Sequence, residues 1–496
     1  MTRRLRLGPN LNWQVIVPVV SGALLAVGLG MAVCFVAALA GDGGGAAAFG
    51  WPALVTIPLS AAGVATGGRL RSTPLRARDG FLSVTLAWVA AAAVGAIPFL
   101  LHGTFDRPVD AFFESMSGFT TTGATLIADV ERQADAVLLW RSLSQWLGGV
   151  GIVVLVVAIA PATGLASQRV FHAELSGPTA ERLTPRIAQT AKIIWAIYLV
   201  LTFLGFLGFW LAGMTPWEAI NHGFTTVATG GFSTRTSSLA GFDSLAIELV
   251  AIVFMAAGGV NFAFYWLALR GRDRLWPQAA EVRAYLLILV WATVALTATL
   301  LIADDTAGVG GALRESGFTV VSVVTSTGYT TVDFDSWHDF GRLALLALMF
   351  VGGCAGSTAG GMKVIRVMLL AKAAGQELGR QLQPKAVQVL RVRGRVFGED
   401  VRRGVLAFFL IYMLVFAAGT LVMAALGLEP LTAASGVIAT LNIIGPGIGD
   451  LGVSESYAVV PEAGRWFLSA LMLVGRLEVF TVLVLLTPAF WRPSVA

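Results

Sequence analysis

The chain of 496 residues contains ten long apolar runs, each bounded by charged or polar segments. The runs cover approximately residues 13–40, 51–68, 80–101, 138–160, 190–213, 244–269, 284–303, 341–370, 404–427 and 466–488. A helix that crosses a bilayer needs about 20 mostly apolar residues, and its backbone has to satisfy its own hydrogen bonds. The runs therefore predict an all-α polytopic membrane protein with ten transmembrane helices. The first run is roughly twice as long as the apolar part of a secretory signal, so we expect a retained span.

The composition agrees with a membrane protein. Hydrophobic residues make up 56% of the chain and charged residues 13%, whereas a soluble chain carries about 25% charged residues. This balance excludes a disordered tail, a disulfide scaffold and a nucleic-acid binder. The two cysteines form no Cys-x-x-Cys pair, and the four histidines lie far apart, outside any HExxH motif. We therefore expect no transition metal, no cofactor held by this chain and no enzymatic activity.

Basic residues are concentrated in every second segment between the runs. If the N-terminus is cytoplasmic and the spans alternate, the cytoplasmic segments hold 26 of the 34 Lys and Arg residues but 8 of the 29 Asp and Glu residues. The opposite side holds 7 Arg and 20 acidic residues, and Arg476 and Glu478 lie within the last run. This asymmetry follows the positive-inside rule. Both termini are therefore predicted to lie in the cytoplasm.

Four of the segments on the opposite side repeat one sequence pattern. The repeats read FESMSGFTTTGAT at 113–125, NHGFTTVATGGFS at 221–233, SVVTSTGYTT at 322–331 and ATLNIIGPG at 439–447. We align them on Gly123, Gly230, Gly328 and Gly445, which are separated by 107, 98 and 117 residues. A half-apolar stretch of about 10–14 residues precedes each glycine and is too short to cross a bilayer.

Each repeat therefore predicts a span, a short re-entrant helix, a glycine-containing loop and a second span. Four such units account for eight of the runs, and two extra N-terminal spans precede them. The predicted divisions are residues 1–79 for the N-terminal spans, then 80–175, 176–276, 277–400 and 401–496 for the repeats. We expect the repeats to surround one central ion pore with pseudo-fourfold symmetry.

The four loops have the composition of an ion-coordinating ring. Non-helical backbone at membrane depth is tolerated where it lines a water-filled cavity, and glycine lets carbonyl groups turn toward that cavity. Carbonyl rings replace the hydration shell of a permeating ion, and four helix C-termini favour a cation. No carboxylate lies within two residues of the aligned glycines, which favours a monovalent cation. The predicted filter residues are Thr121, Thr122, Gly123, Ala124, Ala228, Thr229, Gly230, Gly231, Ser326, Thr327, Gly328, Tyr329, Ile443, Ile444, Gly445 and Pro446.

These loops, together with GGCAGSTAGGMK at 352–363 and GRLEVFT at 475–481, resemble the Trk/Ktr/HKT superfamily of potassium transporters, and within it the TrkH branch. The resemblance covers essentially the whole chain, including the two spans before the repeats. It implies potassium uptake across the inner membrane of a bacterium, with potassium bound at the filter. It also implies a homodimer and control by a cytosolic TrkA-like nucleotide-binding subunit. Glycine at position 123 implies potassium permeation, whereas Ile443 and Ile444 depart from the threonine pattern of the other loops.

The run 341–370 is too long for one straight crossing and is rich in glycine at its centre. Glycine costs about 1 kcal/mol relative to alanine within a helix, so this stretch is poor helix. Close packing of small residues explains it equally well, but the resemblance implies a gating loop beneath the filter. We expect such a break in the third repeat only and interpret 148–151 and 258–259 as packing glycines. The predicted gate residues are Gly352, Gly353, Gly356, Ser357, Thr358, Gly360, Gly361, Lys363 and Arg476.

Arg476 lies about ten residues into the last run. A charged group at that depth is costly and marks a functional site by default. Glu478 is a poor partner, because residues i and i+2 of a helix do not face each other. We therefore expect Arg476 to donate hydrogen bonds to carbonyl groups of 352–361 and to hold the gate, with a purely structural hydrogen bond as the alternative.

Two further features leave alternatives open. Segment 363–403 carries ten Lys and Arg residues, which fits either membrane lipids with anionic headgroups or docking of the regulatory subunit. The chain has no Walker A motif, so nucleotide control would come from that partner. Glu114 and Glu478 are candidate proton carriers, so a proton- or sodium-coupled secondary cation symporter is the alternative function.

Overall fold

The computed structural model describes residues 11–492, apart from 42–44, 70–76, 160–186, 270–275, 304–305, 307, 384–389, 393–394 and 454. Over these residues the regular secondary structure is helical, so the predicted all-α fold is confirmed. A small antiparallel ribbon is the exception, in which strand β1 (Leu390–Val392) pairs with strand β2 (Arg395–Phe397).

The helices follow the predicted runs closely. In chain order they are α1 (Trp13–Ala40), α2 (Ala46–Ala65), α3 (Ala77–Gly95), α4 (Ile97–His102), α5 (Pro108–Phe119), α6 (Asp135–Ile159), α7 (Ile187–Leu211), α8 (Pro216–Val227), α9 (Leu245–Gly258), α10 (Phe262–Leu269), α11 (Trp276–Ile302), α12 (Val309–Val324), α13 (Asp339–Leu348), α14 (Val364–Leu382), α15 (Glu399–Ala425), α16 (Pro430–Leu441), α17 (Glu462–Arg476), α18 (Phe480–Leu483) and α19 (Pro488–Trp491). Short 3-10 turns lie at Thr66–Arg69, Ser238–Phe242, Phe334–Ser336, Tyr457–Val459 and Val484–Leu486.

The described helices include many that can cross a membrane. Six helical stretches are long and apolar enough, and two bent helix pairs bring the number to as many as eight. Helix α6 and the pair α13–α14, which coincide with two more of the predicted runs, lie outside those eight. The chain is therefore a multi-pass membrane protein, whereas the number of ten spans and the division into residues 1–79 and four repeats stay predictions.

Breaks interrupt the long helices of three repeats. Helices α9 and α10 meet at 90°, and α17 meets the following turn at 112°. The run 341–370 is split into α13 and α14 by the non-helical segment 349–363. The expectation of a break in the third repeat only is therefore wrong. One physical reason is local: Glu478 and Val479 both have positive φ, 58° and 53°, which ends the helix after Arg476.

The corresponding helix of the first repeat, α6, has no break. It passes through Gly148 and Gly151 as a continuous helix. A Cβ atom added at Gly148 would lie closer than 3.0 Å to the carbonyl oxygen of Phe119. This glycine therefore allows α6 to pack against the end of α5, as expected for a packing glycine.

Four short helices, α5, α8, α12 and α16, lie between the long ones. They contain 12, 12, 16 and 12 residues, and at about 1.5 Å per residue none can cross a hydrocarbon core of about 30 Å. Three of them begin with a proline near the N-terminus, which is favourable at the first helical position. Their C-terminal halves are buried, so each short helix ends inside the protein.

Candidate functional site

Each short helix is followed by a loop of the same shape. We call residues 120–125, 228–233, 325–330 and 442–447 loops 1, 2, 3 and 4. The second residues after the helices have positive φ; they are Thr121, Thr229, Ser326 and Ile443, with φ of 57, 52, 52 and 52°. The fourth residues are all left-handed glycines; they are Gly123, Gly231, Gly328 and Gly445, with φ of 84, 81, 80 and 103°. In each loop, the residue directly before the glycine donates its backbone N–H to the carbonyl of the residue five positions before it in the chain, at 2.8 or 2.9 Å.

This geometry corrects the alignment of loop 2 by one residue. The sequence alignment uses Gly230, but Gly231 has the left-handed backbone and the position of the other three glycines. Gly230 corresponds instead to Thr122, Thr327 and Ile444. The alignment on Gly230 also placed Thr229 directly before the ring glycine of loop 2, which is wrong, because Thr229 lies two residues before Gly231. Two adjacent glycines in the sequence allowed both alignments, and the backbone torsion angles decide between them.

The four glycines and four carbonyl groups form a closed ring. A Cβ atom added at Gly123 would lie closer than 3.0 Å to the carbonyl oxygen of Gly230 in loop 2. The same contact with the next loop recurs in the pairs Gly231 and Thr327, Gly328 and Ile444, and Gly445 and Thr122. The contacts run from loop 1 to 2, 3, 4 and back to 1, so the loops surround one axis. Any side chain at these glycines would displace a carbonyl group of the adjacent loop.

The ring lies between a wide cavity and a narrow one. The wide cavity has a volume of about 610 Å³ and is lined by the four ring glycines and by Glu131 and Asp333, among other residues. A second space, of about 30 Å³, is lined by Ile443, Gly360 and Arg476, among other residues. The axis is therefore open on the side of the wide cavity and nearly closed on the side of Arg476.

Hydroxyl groups brace loops 1 and 3 internally. The hydroxyl of Thr122 lies 2.7 Å from that of Thr120, and the hydroxyl of Thr327 lies 2.7 Å from that of Thr325. From sequence, these threonines could either coordinate an ion or stabilise the loop. The contacts favour stabilisation, because each hydroxyl is already used within its own loop.

Two tyrosines connect the loops to their surroundings. The hydroxyl of Tyr329, which follows the glycine of loop 3, lies 3.1 Å from that of Thr226 on α8. Tyr457 donates its hydroxyl hydrogen to the Gly445 carbonyl of loop 4 at 2.6 Å. Its backbone N–H donates to the Thr125 carbonyl of loop 1 at 3.1 Å. Each tyrosine therefore ties neighbouring repeats together at the level of the ring.

A buried ion pair joins loops 1 and 2 on the side of the wide cavity. Arg141 Nε of α6 lies 2.9 Å from Glu114 Oε1 of α5, and both side chains are buried. Arg141 also donates to the Ser233 carbonyl at 3.2 Å, and its guanidinium lies 4.1 Å from the ring centroid of Phe232. Glu114 accepts the N–H of Leu126 at 3.0 Å. Because both charges are satisfied inside the protein, this pair acts as a rigid support for the two loops.

Segment 349–363 packs directly against the helix ends beneath the ring. The Thr358 hydroxyl is within hydrogen-bond distance of the Val227 and Gly258 carbonyls, at 3.1 and 3.2 Å. The Gly360 N–H donates to the Ser326 hydroxyl at 2.6 Å. The segment therefore contacts the ends of α8, α9 and α12, and it contains eight of the nine predicted gate residues.

The break between α9 and α10 provides a further attachment point. The carbonyl of Gly259, left without a helical partner by the break, accepts the N–H of Cys354 at 2.8 Å. The N–H of Phe262 donates to the Gly356 carbonyl at 3.2 Å. The glycines at 258–259 therefore take part in holding segment 349–363, in addition to the packing role expected from sequence.

Arg476 links segment 349–363 to the first repeat. Its Nη1 donates to the Thr358 carbonyl at 2.8 Å, and its Nη2 donates to the Gly148 carbonyl of α6 at 2.8 Å. The side chain is buried. Glu478 pairs instead with Arg366 of α14, with Oε2 and Nη2 2.7 Å apart. One guanidinium thus holds segment 349–363 against α6.

Several residues of the site escaped the sequence analysis. Gln145 of α6 contacts loop 2, and Glu281 of α11 accepts the N–H of Ala355 at 2.7 Å. The predicted seventh run begins at residue 284, but α11 begins at Trp276, so Glu281 is part of the helix. The signal for Glu281 was a lone carboxylate beside a long apolar run, whereas nothing near Gln145 in the sequence indicates its contact.

Comparison with known proteins gives consistent matches. The family model described as "TrkH: Cation transport protein" matches residues 57–492. The Trk system potassium uptake protein TrkH of Vibrio parahaemolyticus is 43% identical over 423 residues, covering 84% of this chain and 87% of that protein. The protein of the same name from Escherichia coli K12 is 40% identical over 421 residues, with the same coverage, 84% and 87%. The crystal structure of the potassium transporter TrkH from Vibrio parahaemolyticus matches with a TM-score of 0.88 at 39% identity, covering 97% of this chain and 100% of that chain.

Proposed function

Because the chain belongs to the TrkH family of cation transport proteins, we propose that it takes up potassium across the bacterial inner membrane through the ring formed by loops 1–4. Its relatives are named as potassium uptake proteins, so the chain is a membrane transport protein and not an enzyme. The observation that carries the proposed mechanism is the closed ring of left-handed glycines, each packed against a carbonyl group of the next loop.

A ring of backbone carbonyls suits a monovalent cation. Carbonyl dipoles replace the water molecules that the ion loses on entry, without the strong binding that a ring of carboxylates would give. Each of the four short helices ends at one loop of the ring, so the partial negative charges of their C-terminal ends lie close to the same axis. Potassium enters from the wide cavity, loses water at the ring and leaves toward segment 349–363.

Segment 349–363 is the gate in this proposal. It lies directly beneath the ring, where the space narrows to about 30 Å³. Arg476 holds it closed through the Thr358 and Gly148 carbonyls and also places a positive charge on the path of the cation. Opening requires both hydrogen bonds to break, so the gate is closed until a second event pulls the segment away.

Regulation and assembly complete the proposal. The relatives are named as members of a Trk system, which supports partner subunits in a transport complex. From the family resemblance we propose a homodimer that binds a cytosolic TrkA-like subunit, and from the charge asymmetry of the sequence we propose that both termini lie in the cytoplasm. The ribbon β1–β2 packs on Ile365 and Leu369 of α14, and α14 directly follows the gate. A subunit or an anionic lipid that binds the basic segment 363–403 therefore acts on the helix attached to the gate.

No observation favours the proton- or sodium-coupled alternative. The carboxylates proposed as proton carriers, Glu114 and Glu478, are ion-paired with Arg141 and Arg366. Each carboxylate is therefore already engaged in a short ion pair inside the protein. We therefore propose that potassium flows passively through the ring and is controlled by the gate.

Ion flux into liposomes tests this function. We expect purified protein to carry potassium at least about tenfold faster than sodium, a preference that corresponds to about 1.4 kcal/mol. Gly123→Ser is expected to lower that ratio, because its Cβ would push against the Gly230 carbonyl. Arg476→Ala, measured in parallel, separates a closed gate from a missing pore. Equal fluxes of the two ions, or potassium movement that requires a proton or sodium gradient, would contradict the proposal.

A further inference from the structure

Loop 2 lacks a side chain at a position where the other three loops have one. The residue before the ring glycine is Thr122 in loop 1, Thr327 in loop 3 and Ile444 in loop 4, whereas loop 2 has Gly230. The threonines are braced within their loops, and Ile444 is fully buried. A glycine at this point offers no contact of its own and leaves the backbone free to move.

Gln145 of α6 occupies the space that this side chain would fill. A Cβ atom added at Gly230 would lie closer than 3.0 Å to the Cδ, Oε1 and Nε2 atoms of Gln145. Gln145 Nε2 donates to the Gly230 carbonyl at 2.6 Å, and its Oε1 accepts the N–H of Phe232 at 3.1 Å. The amide thus bonds to the residues on both sides of the ring glycine Gly231, and the side chain is fully buried.

We propose that Gln145 is a positioning residue that fixes loop 2 in the ring and thereby sets the preference for potassium over sodium. The inference rests on the proposed function of the ring. The Gly230 carbonyl is one of the four that pack against the ring glycines, and no other loop receives a side-chain amide from a different helix among the described residues. Loss of the amide allows the Gly230 carbonyl to rotate, so the ring can close around a smaller ion.

The direct test replaces Gln145 by methionine, which has the same length but neither donates nor accepts a strong hydrogen bond. The potassium-to-sodium flux ratio in liposomes is expected to fall by about three- to tenfold. This is the factor that corresponds to one neutral hydrogen bond, here the bond from Gln145 to the Gly230 carbonyl of the ring. Gln133→Met is the matched control, since Gln133 is a half-buried glutamine just before α6 that donates to the Asp129 carbonyl at 3.4 Å and, within the described residues, hydrogen-bonds to none of the four loops. Its flux ratio is expected to equal that of the unmodified protein.

A second variant covers the case in which Gln145→Met does not fold. Gln145→Glu keeps an acceptor for the Phe232 N–H but directs an oxygen at the Gly230 carbonyl, so it is also expected to lower the flux ratio. The readout for both variants includes the potassium-dependent rise in unfolding temperature in detergent, which reports ion binding without gating. We expect that rise to become smaller relative to the rise with sodium.

A combined substitution tests whether Gln145 really fills the missing side-chain position. Gly230→Ala alone pushes the end of the fully buried Gln145 side chain away from its two hydrogen-bond partners and is expected to reduce flux. In a Gln145→Ala background the space is free, and residue 230 has no positive φ that would oppose alanine. The double variant is therefore expected to carry more potassium than Gly230→Ala, whereas additive losses would overturn the assignment.

The outcomes separate this inference from the proposed function. If the unmodified protein prefers potassium but folded Gln145→Met and Gln145→Glu have the same flux ratio, the role of Gln145 is refuted and the ring stands. If the unmodified protein shows no preference between potassium and sodium in either flux or thermal stabilisation, the proposed filter itself is refuted. A reduced ratio in both Gln145 variants, with the control unchanged, supports the inference.

Discussion

Potassium flux is expected to fall about a hundredfold when Gly328 is replaced by alanine. The new Cβ would lie closer than 3.0 Å to the Ile444 carbonyl oxygen and to Pro446 Cδ, so either loop 3 or loop 4 has to move. Displacements near 1 Å at a site that depends on exact geometry cost about two orders of magnitude in rate. The measurement is uptake of potassium or rubidium into liposomes at matched protein content.

Gly103→Ala is the control for this substitution. Gly103 has the same φ of 80° as Gly328, but an added Cβ would meet no atom within 4 Å. Alanine in a left-handed backbone therefore costs the same conformational free energy in both variants. The two variants differ only in the contact that the new Cβ makes with the ring. Equal loss of flux in the two variants would show that backbone strain, and not the ring, explains the effect.

Replacing Arg476 by alanine is expected to raise potassium flux about ten- to a hundredfold. Two hydrogen bonds from a charged group, to the Thr358 and Gly148 carbonyls, are lost, and each contributes about 1.5–3 kcal/mol. Part of that energy is recovered by water that enters the space left by the side chain. The gate is then open for a larger fraction of the time, and the positive charge is no longer on the path of the ion.

Arg476→Lys and Arg107→Ala are the comparison variants. A lysine ammonium is a single compact charge and does not reproduce the planar, two-sided donation of a guanidinium, so we expect flux between those of the unmodified protein and Arg476→Ala. Arg107 is an exposed arginine before α5 and outside the basic segment 363–403, with a 3.8 Å ion pair to the exposed Glu462; its loss is expected to leave flux unchanged. Flux from folded Arg476→Ala that is unchanged or lower would contradict the role of Arg476 in the gate.

Much of the architecture follows from local sequence features. Hydropathy identifies the long helices because a bilayer demands about 20 apolar residues whatever the tertiary structure. The repeated threonine and glycine pattern marks the four segments that follow the short helices, although the alignment of loop 2 was wrong by one residue. Arg476 was identified from its depth in an apolar run, because a buried charge has few possible explanations.

The parts that could not be predicted depend on contacts between distant residues. Gly230 and Gly231 are equivalent choices in the sequence, and only the left-handed backbone at Gly231 distinguishes them. The pairing of Glu478 with Arg366 requires the bend after Arg476, which no residue in that apolar run indicates. Gln145 fills a gap in a loop 85 residues away, and its role became visible only when the four loops were compared in space.

The position of a heavy monovalent cation tests the central claim most directly. A structure determined with thallium or rubidium in place of potassium, using their anomalous scattering, locates the ion without reference to transport rates. We predict a peak on the axis of the ring, among the carbonyl groups of Thr122, Gly230, Thr327 and Ile444, that disappears in Gly328→Ala. A peak away from this axis, or an empty ring in protein that transports potassium selectively, would contradict the account.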